Sequence, residues 1–197
     1  MNKKVIKNVI FYIFVLFLLL IVITELLAPK TTIKIFGFKG YAVASGSMEP
    51  VIMTGDYIII TKTNTEQLEK DDIVSFYAYL PTVSGGRSLQ IVTHYIYERV
   101  ETEEGIHYIT YSETDKNPED GIKDIDFWRD ENNQPTFVYP EDIIGQYRFR
   151  IPVLGTIILE ANKVVNNPIL LLLIIVNVSI VVILIKYITK KPKEVQK

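Results

Sequence analysis

Two long apolar runs at opposite ends constrain this chain more than any other feature. Val9 to Ala28 is apolar apart from Tyr12, Thr24 and Glu25. Pro168 to Ile188 repeats the pattern, with Asn177 and Ser179 inside it and Lys186 near its end. Twenty helical residues rise about 30 Å, the thickness of a bilayer's hydrocarbon core. A soluble protein can bury one such run. Two at the extremes, each flanked by lysines, read as membrane spans.

The lysines also set an orientation. Lys3, Lys4 and Lys7 precede the first run, and Lys186, Lys190, Lys191, Lys193 and Lys197 close or follow the second. The positive-inside rule puts both termini in the cytoplasm. The expected organisation is a cytoplasmic N-terminus (1–8), a first span (9–28), an extracytoplasmic domain (29–167), a second span (168–188) and a basic cytoplasmic tail (189–197). Leu26-Leu27-Ala28 is a poor small-x-small cleavage site, and the first run exceeds the roughly 7–15 apolar residues of a signal-peptide core. An uncleaved anchor is therefore preferred to a removed signal peptide. The expected location is the cell membrane, crossed twice.

Composition narrows the chemistry. The net charge of −2 conceals an asymmetry: residues 31–167 carry 21 acids against 12 bases, while the two ends carry nine bases against two acids. An acidic middle argues against nucleic acid as a partner. The absence of cysteine excludes a disulfide scaffold, a thiolate zinc site and a cysteine nucleophile, and with it a sortase. With two histidines in all, a His-rich metal site is not expected. No metal or cofactor is called for.

The middle reads as mainly β. Residues 31–44 are dense in β-branched and aromatic side chains, which favours a strand. Tyr57 to Thr61 and Ile73 to Tyr79 look like buried strands. Gln90 to Val100 and Ile106 to Tyr111 form an expected hairpin across Gly105. Ile143 to Ile151 reads as a closing strand pair, and Ile157 to Val165 as a short helix. Ser84-Gly85-Gly86, Lys116-Asn117-Pro118 and Asp130 to Pro135 read as loops, and residues 80–90 and 121–137 as loop insertions.

The distinctive string is Tyr41-Ala42-Val43-Ala44-Ser45-Gly46-Ser47-Met48-Glu49-Pro50. Ser-Gly-Ser at a strand end makes a tight bend that exposes a hydroxyl beside backbone N–H groups. Acyl transfer needs that pairing of nucleophilic oxygen and oxyanion donors. An ordinary turn draws on the same residue types.

This string, followed by Gly55-Asp56 and an apolar strand, resembles the first signature block of type I signal peptidases. The resemblance implies a β-rich catalytic domain flanked by two transmembrane helices, with Ser47 as nucleophile and the Ser45 hydroxyl assisting the Ser47 backbone N–H in the oxyanion hole. It also places Val43, Ala44 and Met48 in the pocket for a small side chain. One branch of the family uses a lysine base. The other, of endoplasmic-reticulum type and found also in archaea and some bacteria, uses histidine. No lysine occurs between Lys70 and Lys116. Ile91-Val92-Thr93-His94-Tyr95-Ile96 is similar to the His-branch block, with Tyr95 where arginine is usual, so the resemblance assigns His94 as general base. An imidazole, with an ordinary pKa of about 6.5, suits that task at neutral pH. Ser112 to Asp120 occupies the place of the third block, Thr-Lys-Gly-Asp-x-Asn followed by another acid. Asp120 is expected to orient His94, with Asp115 the second choice. Either acid could instead cap a loop.

The implied activity is a membrane-bound serine endopeptidase that removes signal peptides from exported preproteins. Preproteins and the lipid bilayer are the implied partners. The sequence does not specify a partner subunit. A binding or assembly protein that keeps the fold without catalysis fits two spans and a β domain equally, but needs neither Ser47 nor His94. A self-cleaving regulator with a related serine fold uses lysine, which is missing from the required stretch.

Overall fold

A computed structural model describes residues 3–103, 105–114 and 124–189. It is β-rich. The chain opens with helix α1 (Lys3–Leu27), which is long and apolar enough to cross a membrane and buries none of its residues against the protein. A short helix α2 (Thr32–Phe36) leads into strands β1 (Phe38–Ala42), β2 (Tyr57–Thr61), β3 (Ile73–Pro81), β4 (Arg87–Thr102) and β5 (Gly105–Tyr111). A small hairpin, β6 (Trp128–Arg129) and β7 (Pro135–Thr136), precedes β8 (Ile143–Ile151), and helices α3 (Leu154–Val165) and α4 (Pro168–Thr189) follow.

Six strands form one antiparallel sheet in the order β1-β2-β8-β3-β4-β5. Side chains alternate across it. Val74, Phe76 and Ala78 of β3 join Val92 and Ile96 of β4 in one buried cluster with Tyr108 and Val138. Ile73 and Tyr95, one residue out of phase, pack against a second cluster of Ile33, Met48, Ile52, Ile58 and Ile60. In a flat sheet, four strand steps of about 4.8 Å would hold β1 about 19 Å from β4. Residues of both strands instead line one cleft, so the sheet is strongly curved.

The end of α1 is fastened to this sheet. Lys39 of β1 is only 4% exposed, and its ammonium donates to the Pro29 carbonyl (2.8 Å) and meets Glu25 Oε1 at 2.9 Å. A buried lysine is tolerated only with such partners.

Strands β2 to β5 and helix α3 lie close to where the sequence places them. Four expectations change. Residues 32–36 are helical rather than extended, because Thr32 and Ile33 are buried and Gly37, at φ 77°, stops the turn with its N–H on the Ile33 carbonyl. Ile143–Ile151 is one continuous strand, held between β2 and β3. Residues 80–90 are not all loop: β3 and β4 run on to a turn in which Gly85 and Gly86 take φ of 85° and 81°. Within 121–137, residues 121–123 lie outside the described residues, and the remainder carries the β6–β7 hairpin. Lys116-Asn117-Pro118 also lies outside them.

Candidate active site

The loop that carries Ser47 is pinned on three sides. Its backbone leaves β1 at Ala42, and a small ladder then ties it to the start of β2. Val43 N–H donates to the Asp56 carbonyl (2.8 Å), and Gly55 N–H donates to the Val43 carbonyl (2.9 Å). Beyond Ser47, Met48 and Ile52 drop into the second core cluster at 2% and 1% exposure. The Ser47 carbonyl itself accepts from the N–H groups of Glu113 (3.0 Å) and Thr114 (3.2 Å), just past β5. The buried Asp56 braces the base of the loop, accepting from Met53 N–H (2.9 Å) and Arg150 Nη1 (2.7 Å). That contact raises the Arg150 guanidinium above its ordinary pKa. Glu49 reaches round to Thr54 N–H (3.0 Å), which holds its carboxyl below the usual range.

His94 sits on β4 opposite Val74 of β3, on the face that carries the first core cluster. Phe76 meets its ring edge-on at 6.4 Å and Trp128 lies tilted at 5.7 Å. Its Nε2 is 3.1 Å from Ser47 Oγ. Its Nδ1 is 2.7 Å from Asp126 Oδ2. The His94 and Asp126 side chains are 8% and 10% exposed, so little water competes for this bond. A carboxylate only accepts hydrogen bonds, so the shared proton belongs to Nδ1 and the neutral ring presents a bare Nε2 to the Ser47 hydroxyl. Such an arrangement can move a proton from a hydroxyl to an imidazole and steady the imidazolium that results.

Ser47 and His94 open onto a cleft of about 570 Å³. Ser45, Val43, Ala44 and Met48 line it on the β1 side, and Gln90 to His94 line the β4 side with Trp128. The residues expected around the oxyanion and the small side chain therefore line the same cleft as Ser47. Tyr41 closes the floor, and burial pushes its hydroxyl up to about 12. Tyr95, found where arginine was anticipated, stacks on Tyr111 at 4.8 Å, an aromatic pair across β4 and β5.

Asp120 and Asp115, the acids expected at His94, lie outside the described residues. The carboxylate found at Nδ1 is Asp126, which lies in the 121–137 stretch that reads from sequence as a loop insertion. One signal was available: Asp126 stands two residues before Trp128, the chain's only tryptophan. His107, given no role, stacks on Phe137 at 4.2 Å, away from the cleft.

The signal peptidase family model, peptidase S26, matches residues 8–108. The chain belongs to that family. The matched stretch contains Ser47 and His94 and ends before Asp126. A comparison with curated proteins found no match.

Proposed function

We propose that this protein is a membrane-bound signal peptidase of the Ser-His branch, with Ser47, His94 and Asp126 as its catalytic residues. The observation that carries the reading is the single imidazole that bridges Ser47 Oγ and Asp126 Oδ2. Ser47 attacks the carbonyl that follows a small residue at the cleavage site of a precursor. His94 accepts the serine proton at Nε2 and returns it to the departing amine. Asp126 holds the ring in the required tautomer and stabilises its charged form. Backbone N–H of Ser47 and the hydroxyl of Ser45 receive the negative charge on the carbonyl oxygen. Val43, Ala44 and Met48 favour a small side chain beside it.

In this reading α1 and α4 both cross the bilayer. The termini are cytoplasmic, and residues 29–167 work on the outer side. A signal peptide shares the same membrane, which raises the effective concentration of the cut site at the cleft. Eighteen residues separate Ala28 from Ser47, and folding into α2 and β1 keeps the nucleophile near the membrane.

Ser47→Ala tests the reading. Co-expressed with a secretory precursor, the variant should accumulate in the membrane like the wild type and leave the precursor uncut. Near-normal processing by that variant would rule out a serine protease mechanism at this site.

A further inference from the structure

We propose that Thr110 is a positioning residue for the reaction, fixing the proton order of the chain that ends at Ser47. The inference rests on the Ser47–His94–Asp126 reading above. Thr110 lies on β5, is fully buried, and pairs with Ile96 of β4. Its hydroxyl donates to Asp126 Oδ2 at 2.5 Å. Thr110 Oγ1 itself accepts from Trp128 Nε1 at 2.9 Å. Asp126 N–H in turn donates to the Thr110 carbonyl at 2.8 Å.

Counting protons gives this arrangement a direction. An indole nitrogen can only donate, and a hydroxyl owns one proton. Trp128 therefore occupies a lone pair of Thr110 and leaves its proton to point at Asp126. Oδ2 then receives two donors, Thr110 Oγ1–H and His94 Nδ1–H. With that oxygen locked, His94 cannot turn its protonated nitrogen towards Ser47 without breaking the network. Residues 124–127 form no strand or helix, and among the described residues Asp126 is held by its two bonds to Thr110, its bond to His94 and the start of β6. Trp128 also packs on Phe76 at 5.3 Å and on His94, which couples the donor end of the chain to the ring it orients.

Such a residue touches no substrate, so its loss should appear in kcat rather than in KM. The test uses the purified full-length protein in detergent micelles with an internally quenched peptide that carries an Ala-x-Ala cleavage sequence. Thr110→Val keeps the shape and removes the hydroxyl. Losing a hydrogen bond to a charged group should lower kcat about ten- to a hundred-fold with KM held within about twofold. Thr110→Ser restores the hydroxyl and should recover most of the loss. The double variant Thr110→Val with Trp128→Phe removes the orphaned indole donor as well. It should melt above Thr110→Val alone yet keep the low kcat, which a purely structural role would not produce. Wild-type kcat in Thr110→Val, or no recovery in Thr110→Ser when it melts like the wild type, would overturn the proposal. Asp126→Asn in the same assay separates the two levels. If Asp126→Asn is slow while Thr110→Val is not, the Thr110 proposal alone fails. If Asp126→Asn turns over like the wild type, the underlying triad fails and the proposal with it.

Discussion

A β-carbon on Gly155 would sit 2.1 Å from the Asp56 carbonyl oxygen, closer than any packed side chain stands to a backbone atom. Gly155→Ala must therefore push α3 away from the turn that carries Gly55 and Asp56. Forced shifts of this kind cost about 1–3 kcal/mol or more, and a lowered thermal midpoint is the expected readout. At the other key position, His94→Lys should not restore cleavage to a His94-deficient enzyme. A lysine must be desolvated to bring its pKa down from about 10.4, and this niche holds an imidazole between two oxygens. Cleavage by His94→Lys at more than a few per cent of the wild-type rate would show that the niche is generic for a base. Ser47 and His94 drew attention because each sits in a local string that resembles a family block, and the structure brings Nε2 and Oγ within 3.1 Å. Asp126 did not, because what makes it special is tertiary. Its N–H and its carboxylate both close onto Thr110, sixteen residues earlier in the chain.

Phe76 shows how the strands support the site. It is fully buried on β3, with its ring edge-on to both His94 and Trp128. Phe76→Ala should lose about 3–5 kcal/mol of stability from the cavity it leaves, measured by denaturant unfolding. It should also slow cleavage, because one ring that confines His94 is removed and the other, Trp128, loses its edge contact. Strands β2 to β5 could be read from their runs of β-branched and aromatic residues, bounded by glycine and polar turns. The position of β8 between β2 and β3 could not, since it depends on pairing with residues 67 to 94 positions earlier, from Phe76 with Ile143 to Tyr57 with Ile151. The helix at residues 32–36 was hidden for a related reason. Its composition favours a strand, and burial of Thr32 and Ile33 together with the left-handed Gly37 overrides that preference.

At the scale of the whole molecule, the proposal joins a cleft to a membrane. A reporter fused after Lys197 should be cytoplasmic, and protease added outside sealed cells should reach residues 31–167. A C-terminus accessible from outside would mean that one of the two helices does not cross. The contact between Lys39, Glu25 and the Pro29 carbonyl fixes how the domain sits on α1. Lys39→Met keeps the aliphatic stem and removes the ion pair. Cleavage of a membrane-anchored precursor should then fall more than cleavage of a short soluble peptide, and equal losses on both would detach this contact from presentation of the substrate. The most direct test of the triad is the cleavage rate of a purified precursor by His94→Ala beside Ser47→Ala and the wild type. Both variants are expected to lose about 10⁴-fold or more, because nucleophile and base act as one unit. A His94→Ala enzyme that cuts at close to the wild-type rate would contradict it.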